Sequence, residues 1–201
     1  MSNDVKVLIV EDELITAESI KELLEEEDYE VTGIAADAAT ALRICNRNEL
    51  VPQVVLCDIN IKGDHNGIEL AADLKKLYNC EIVFLTALSD SRILQSAFAA
   101  DPVMYIVKPF TNTQLLVAVH MAFHRLLARQ QLPSGTDSLQ LTDREREIAL
   151  LVAEGFSSKQ ISHKLSISIE TVKTHRRRML QKNNINSFPQ LVYRMNNERN
   201  R

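Results

Sequence analysis

Short apolar runs alternate with amphipathic stretches over the first 130 residues of the 201-residue chain. The runs Val5–Val10, Glu30–Ala35, Val54–Cys57, Glu81–Leu85 and Met104–Val107 predict strands. The stretches near Leu14–Glu27, Ala38–Asn48, Gly67–Tyr78, Asp90–Ala100 and Thr113–Arg129 predict the helices that follow them. VKVLIV, VVLC and EIVFL are continuous rather than alternating, as strands covered on both faces of a parallel sheet must be. Five strand–helix repeats in sequence therefore predict an α/β, doubly wound (βα)5 parallel sheet.

The period changes after this. Gln130–Ser138 (QQLPSGTDS) is short, polar and contains Pro and Gly, the composition of a linker. Beyond it the pattern is helical throughout. Thr142 followed by Glu145 has the spacing of a capping box, and the helix it opens ends near Gly155. A short helix follows at about Ser158–Leu165, then a turn, a longer helix Ile169–Asn183 opened by Ser168, and a last helix near Ser187–Asn197. The organisation expected is a first domain at 4–127, a linker at 128–138 and a small all-α, four-helix domain at 139–201 with a helix-turn-helix spacing.

Charge sharpens this division. The formal net charge of −4 is the sum of unlike parts. Residues 1–130 carry 11 basic and 20 acidic side chains, a net of −9, and residues 131–201 carry 12 against 7, a net of +5. Two domains with different partners are expected. Cys45, Cys57 and Cys80 are odd in number, widely spaced and form no C-x-x-C pair, so they are expected as reduced, mostly buried thiols of a cytoplasmic protein. No basic, apolar leader and no run long enough to span a membrane is visible, and no membrane partner is expected.

In an open parallel sheet the chemistry sits beyond the carboxyl ends of the strands. The predicted strand ends are Glu11-Asp12, Asp58, Thr86 and Lys108-Pro109. Three converging carboxylates repel one another unless a cation joins them, and an all-oxygen ligand set suits Mg²⁺. Such an ion also neutralises phosphoryl oxygens and makes a carboxylate a usable phosphoryl acceptor. Lys108 would add a point charge on a carboxylate or a phosphoryl oxygen, and Thr86 a hydroxyl donor.

Glu11-Asp12, Asp58, Thr86-Ala87 and Lys108-Pro109-Phe110 together resemble the signature of two-component response-regulator receiver domains, over about residues 4–127. The resemblance implies that Asp58 is the phosphoacceptor. It further implies Asp12 as a direct Mg²⁺ ligand, Glu11 as a ligand through water, and the Asn60 main-chain carbonyl as another. Thr86 and Tyr105 would be the switch pair. The stretch Asp58-Ile-Asn-Ile-Lys-Gly-Asp-His-Asn-Gly67 lacks the proline that family members often carry and is one residue longer, which brings Lys62, Asp64 and His65 into an altered loop near the site. Asp101-Pro102 stands where Gly-Ala is usual.

On a helical wheel of residues 172–183, Val172 and Met179 share the face to be buried, and Lys173, Thr174, Arg177 and Gln181 lie opposite. Donors of this kind read base edges, and Arg176, Arg178 and Lys182 on the flanks suit phosphates. Leu141-Thr-Asp-Arg-Glu145, Glu154-Gly-Phe-Ser157, Lys159-Gln-Ile161, Leu165-Ser-Ile-Ser168 and Thr171-Val-Lys-Thr-His175 resemble the LuxR/NarL-type DNA-binding domain. The resemblance implies that the third helix of this domain enters the major groove, with Lys173, Thr174 and Arg177 reading bases. Thr171, His175 and Lys159 would position the backbone, and the last helix, about Phe188–Met195, would be a dimer contact. His120 and His124, four apart, could hold zinc, but no third ligand is evident and they are expected as ordinary helix residues.

The reading that follows is a response regulator of NarL/FixJ-like architecture. It is not a conventional enzyme, although the receiver can promote its own phosphorylation and dephosphorylation. Its expected partners are a sensor histidine kinase, double-stranded DNA and a second copy of itself. Three alternatives stand beside it. A protein-interaction adaptor would dock its receiver on a partner while its basic domain binds no DNA, and a phosphorylation-independent regulator would keep both domains without the phosphoryl switch. An aspartyl-phosphate phosphatase of the haloacid-dehalogenase type would need an acid two residues beyond Asp58, where Asn60 stands. The charge split also suggests that the acidic domain masks the basic helix until phosphorylation.

Overall fold

The computed structural model describes residues 5–47, 51–63, 65–87, 100–130 and 138–199. The expected helix at Asp90–Ala100 and most of the linker fall outside them. Five parallel strands, β1 (Lys6–Val10), β2 (Glu30–Ala35), β3 (Val54–Asp58), β4 (Glu81–Thr86) and β5 (Met104–Val107), form one sheet in the order β2-β1-β3-β4-β5. The register pairs Val7 with Val54, Val54 with Glu81, and Val83 with Met104. β3 and β4 are buried along their whole length, as their apolar runs Val54–Cys57 and Ile82–Leu85 lead one to expect, and the burial extends to the polar residues that flank those runs.

Among the described residues, three helices connect these strands. α1 (Leu14–Glu26) buries Ala17, Ile20, Leu23 and Leu24, one stripe at helical spacing. α2 (Ala38–Cys45) starts where the Asp37 carboxylate accepts from the Thr40 N–H at 2.7 Å. α3 (Gly67–Tyr78) is opened by a full capping box between Asn66 and Glu69 and stops at Asn79, whose φ of 53° ends the helix in the left-handed conformation. Leu8, Val10, Val55, Leu70, Leu74, Ile82 and Phe84 lie in one core cluster with all three cysteines. The cysteines are free and buried. Burial pushes the Cys45 thiol up to about 11 and the Cys80 thiol up to about 12, values that keep both protonated and unreactive.

The remaining described helices are α4 (Asn112–Arg129), α5 (Asp143–Ala153), α6 (Ser158–Leu165), α7 (Ile169–Lys182) and α8 (Phe188–Arg199). α5 has the expected capping box, Thr142 with Glu145, and a second box of Ser157 and Gln160 opens α6. Ser166, at φ 52°, turns the chain between α6 and α7. Ile148, Ile161, Val172, Met179, Phe188 and Leu191 form the core of these helices.

The chain divides into two compact units between Thr111 and Asn112. α4, which the sequence pattern assigns to the first domain, therefore groups with the C-terminal helices. The Gln160 amide donates to the Thr113 hydroxyl at 3.4 Å, and the rings of His124 and Tyr193 meet edge to face at 5.0 Å. Gly155, at φ +84°, lies so close to α4 that a Cβ there would stand 2.5 Å from Val117 Cγ2 and 2.8 Å from the Thr113 carbonyl oxygen. No helix among the described residues is long and apolar enough to cross a membrane.

Candidate functional site

The strand order reverses between β1 and β3, and the side chains beyond that point converge. Glu11 follows β1 directly, with its N–H bonded to the Ala35 carbonyl at 2.9 Å. Asp58 is the last residue of β3 and Thr86 the last of β4. Lys108 follows β5, and its N–H bonds the Thr86 carbonyl at 2.8 Å. Backbone pairing thus places each of these side chains at the same edge of the sheet.

The Lys108 ammonium donates to Asp58 Oδ2 at 2.5 Å and to Glu11 Oε2 at 2.7 Å. Asp58 Oδ1 accepts from the Asn60 N–H at 2.9 Å. Glu11, Asp12 and Asp58 each offer a carboxylate oxygen, and these oxygens lie within 4.8 Å of one another. Burial pushes the Glu11 carboxyl above its ordinary range, and the Asp58 charge adds to this, against the pull of Lys108 and of the Glu13 N–H. Burial alone would lower the Lys108 pKa, but bonds to Asp58 and Glu11 overcome it and hold it above the ordinary value.

Three carboxylates crowd around one tightly bound ammonium, Lys108, with the Lys62 ammonium farther out, so acidic oxygens outnumber cations at a set of hard donors. That donor set suits a divalent cation such as Mg²⁺. Among the described residues it is the one cluster of three or more potential metal-ligating side chains. His120 and His124 accordingly form no such group.

Gly67 fixes the loop that crosses this site. A Cβ there would lie 1.9 Å from the Asp58 carbonyl oxygen, so the approach of α3 to the end of β3 requires glycine. Cys57 lies beneath, its Sγ 3.3 Å from the Asp58 carbonyl and 3.5 Å from that of Gly67. Within the altered loop, Lys62 Nζ stands 3.5 Å from Asp12 Oδ2 and His65 Nδ1 3.5 Å from Glu69 Oε2. Asp64 falls outside the described residues. The Lys62 contact was not visible in the sequence, because it depends on how the extra residue turns the chain.

Thr86 is buried at its strand end, and Tyr105 is half-buried, stacked on its strand partner Phe84 with ring centroids 5.6 Å apart. Burial raises the Tyr105 pKa.

In the basic unit, α6, the turn at Ser166 and α7 form the expected helix-turn-helix. Val172 and Met179 are fully buried, and Lys159, Thr171, Arg177 and Arg178 are exposed. Lys173, Thr174 and His175 are half-buried. Arg176 departs from its expected place on a phosphate-facing flank. It is only 3% exposed, donates from Nη1 to Ser158 Oγ at 2.8 Å, and lies over the Phe188 ring at 4.9 Å. Its phase explains this, because Val172, Arg176 and Met179 are spaced i, i+4, i+7 and share the core-facing stripe. Arg176 is thus a packing residue of the helical unit. Its charge and the burial of the His120 ring, burial first, push the His120 pKa down to about 4.

A parallel sheet of this order, with an acidic cluster and a lysine beyond its strand ends, joined to a helix-turn-helix unit, defines a signal-receiving domain coupled to a DNA-binding one. Comparison with known proteins specifies the class. Residues 7–120 match the response regulator receiver domain family, and residues 139–195 match the luxR family of bacterial regulatory proteins. The chain is 31% identical over 206 residues to the response regulator protein VraR of Staphylococcus saprophyticus, covering 94% of each. It is 30% identical over 194 residues to the transcriptional regulatory protein LiaR of Bacillus subtilis, covering 89% of this chain and 90% of that one. Among solved structures, the response regulator StyR aligns with a TM-score of 0.55 and 30% identity over 96% of this chain and 98% of its own. The chain belongs to the response regulator family, as a transcriptional regulator of the two-component type with a receiver and a LuxR-type DNA-binding domain.

Proposed function

We propose that Asp58 is the phosphoacceptor of this regulator and that its phosphorylation controls DNA binding by α7. The observation that carries this is the Lys108 ammonium bridging the buried Asp58 and Glu11 carboxylates at 2.5 and 2.7 Å. Asp58 is there paired with a cation that can move onto an incoming phosphoryl oxygen. Glu11, Asp12, Asp58 and the Asn60 main-chain carbonyl would hold Mg²⁺, which when bound neutralises phosphoryl oxygens. An Asp58 carboxylate oxygen attacks phosphorus, a new O–P bond forms, and the bond from phosphorus to the donor breaks with the electron pair leaving on the donor. The donor is the phosphohistidine of a sensor kinase or a small acyl phosphate. The receiver thereby promotes its own phosphorylation without turning over a separate substrate. Lys108 and the Thr86 hydroxyl then bind the phosphoryl oxygens, and Tyr105 follows Thr86 in the switch.

Output lies in the basic unit. Lys173, Thr174 and Arg177 read base edges, and Lys159, Thr171, His175 and Arg178 contact phosphates. The structural relative RcsB of Salmonella enterica, 26% identical with a TM-score of 0.50, was solved bound to promoter rprA with a phosphomimetic, which supports the same order of events here. The regulator works in the cytoplasm and pairs as a homodimer on DNA.

Acetyl phosphate in excess Mg²⁺ tests the acceptor. One phosphoryl group is expected on the wild type and none on Asp58→Ala, and equal labelling of the two would refute the assignment. Phosphorylated wild type should then bind DNA more tightly than Asp58→Ala treated in the same way. Steep loss of affinity with added salt on random DNA separates a DNA-binding output from a protein adaptor.

A further inference from the structure

Two lysines face the acidic cluster, and they differ. Lys108 lies on its inner side, between two nearly enclosed carboxylates. Lys62 reaches the open side, where its Nζ stands 3.5 Å from Asp12 Oδ2 with its side chain 70% exposed. Asp12 is itself the most accessible acid of the three, at 28%, against 1% for Glu11 and 8% for Asp58.

The backbone beneath Lys62 is anchored. Residue 62 pairs in a parallel bridge with Asp37, whose carboxylate caps α2. Gly63 follows at φ +104°, the left-handed region that favours glycine. Further along, the Asn66–Glu69 capping box and the bond from the Gly67 N–H to the Ile59 carbonyl at 2.9 Å hold the end of the loop. The ammonium is thus delivered to Asp12 by a fixed backbone.

We propose that Lys62 is a tethered counterion that competes with the divalent cation for Asp12 and sets the metal affinity of the site. This rests on the reading of the acidic cluster as the Mg²⁺ site. An ammonium on one Asp12 oxygen offsets part of the charge that attracts the ion, and repels a divalent cation a few ångströms away. Loading the metal therefore requires Lys62 to swing out into water, which its exposure permits. Because the lysine is solvated, the effect is moderate. Unit charges about 4 Å apart in water interact by about twice RT, so removing the ammonium should tighten metal binding about three- to tenfold at low ionic strength. The effect should fade as the Debye length shrinks toward ~3 Å near 1 M salt.

Mn²⁺ binding to the full chain, followed by the loss of the free-ion EPR signal, tests this without any phosphorylation. Lys62→Gln should bind Mn²⁺ about three- to tenfold more tightly than wild type, and Lys62→Arg should match wild type. Lys76→Gln, which removes one exposed charge from α3, should leave affinity unchanged. The proposal is overturned if Lys62→Gln binds like wild type, if Lys76→Gln produces the same tightening, or if Lys62→Arg behaves like Lys62→Gln. Asp12→Asn separates the two levels of inference. Strong wild-type binding that Asp12→Asn loses, alongside an unchanged Lys62→Gln, rejects the counterion alone. Equal binding by wild type and Asp12→Asn rejects the metal site itself.

Discussion

Lys108→Met isolates the ammonium at the centre of the site. Methionine keeps much of the stem and removes the charge together with the bonds to Asp58 at 2.5 Å and Glu11 at 2.7 Å. What remains is a pair of carboxylates whose side chains are 8% and 1% exposed, with Asp12 beside them. Breaking a buried ion pair by deleting one partner costs about 3–5 kcal/mol, because the abandoned charge stays in poor solvent. Repulsion alone accounts for this scale. At the 4.8 Å limit of their separation, two carboxylates repel by about 3 kcal/mol at an effective dielectric constant of about 20. That is a large share of the ~5–15 kcal/mol that stabilises an ordinary domain. The loss should therefore be about 3 kcal/mol or more in EDTA, and saturating Mg²⁺ should recover over half of it by joining the same oxygens. Native-state amide exchange of the β1 and β3 amides reads this locally, and urea unfolding followed by circular dichroism reads it globally. A loss under about 1 kcal/mol in EDTA, small for a buried pair, or a loss that Mg²⁺ does not reduce, would show that these carboxylates are not a mutually repelling, cation-dependent set.

Three other perturbations probe different parts of the molecule. Gly67→Ala should destabilise the first unit by about 3 kcal/mol through overpacking, since its Cβ meets the Asp58 carbonyl oxygen at 1.9 Å, and faster exchange at the end of β3 would register it. The His120 pKa is depressed from 6.5 to about 4, so the folded unit takes up that proton less readily than the unfolded chain. The stability due to neutral His120 is complete above about pH 6.5 and is lost as pH falls toward 4, by about 2 kcal/mol at pH 5. Unfolding curves of wild type and His120→Leu should diverge in that window, and parallel pH profiles would refute the assignment. Arg176→Met should cost the helical unit about 1.5–3 kcal/mol with little change in DNA affinity once folded. Arg177→Ala should do the reverse, leaving stability within about 0.5 kcal/mol and weakening DNA binding about tenfold. Thermal unfolding beside fluorescence anisotropy on labelled DNA distinguishes them, and an interchange of the two outcomes would mean that the α7 faces are misassigned.

The strand-end chemistry was legible in the sequence because a parallel sheet offers few choices. Each strand is a short apolar run, and the polar residue that ends it must emerge at the sheet edge. Glu11, Asp58, Thr86 and Lys108 followed from that rule, with Asp58 and Thr86 joining their strands as terminal paired residues opposite Leu85 and Val107. Capping was equally readable at Thr142 and Ser168, since the hydroxyl has to stand three residues before the amide it satisfies. The partner of α4 was not. Leu115, Leu116, Ala118, Val119, Ala122, Phe123 and Leu126 are buried in a stripe broad enough to serve either neighbour, and apolar periodicity says that a face is covered without saying by what.

Arg176 exposes a further limit of the same reasoning. Residue type placed it with its neighbours Arg177 and Arg178, whereas phase placed it with Val172 and Met179, and phase decided. Burial would be prohibitive for an isolated guanidinium, so the core had to supply polar and aromatic partners. Ser158 at the start of α6 and the Phe188 ring at the start of α8 meet that need. One buried cation thereby ties three helices of the DNA-binding unit together. The requirement could have been inferred before the fold was seen, because a charged residue on the apolar phase of a helix must find its partners inside. Ser158 and Phe188, far from it in sequence, are the part that only the fold could identify.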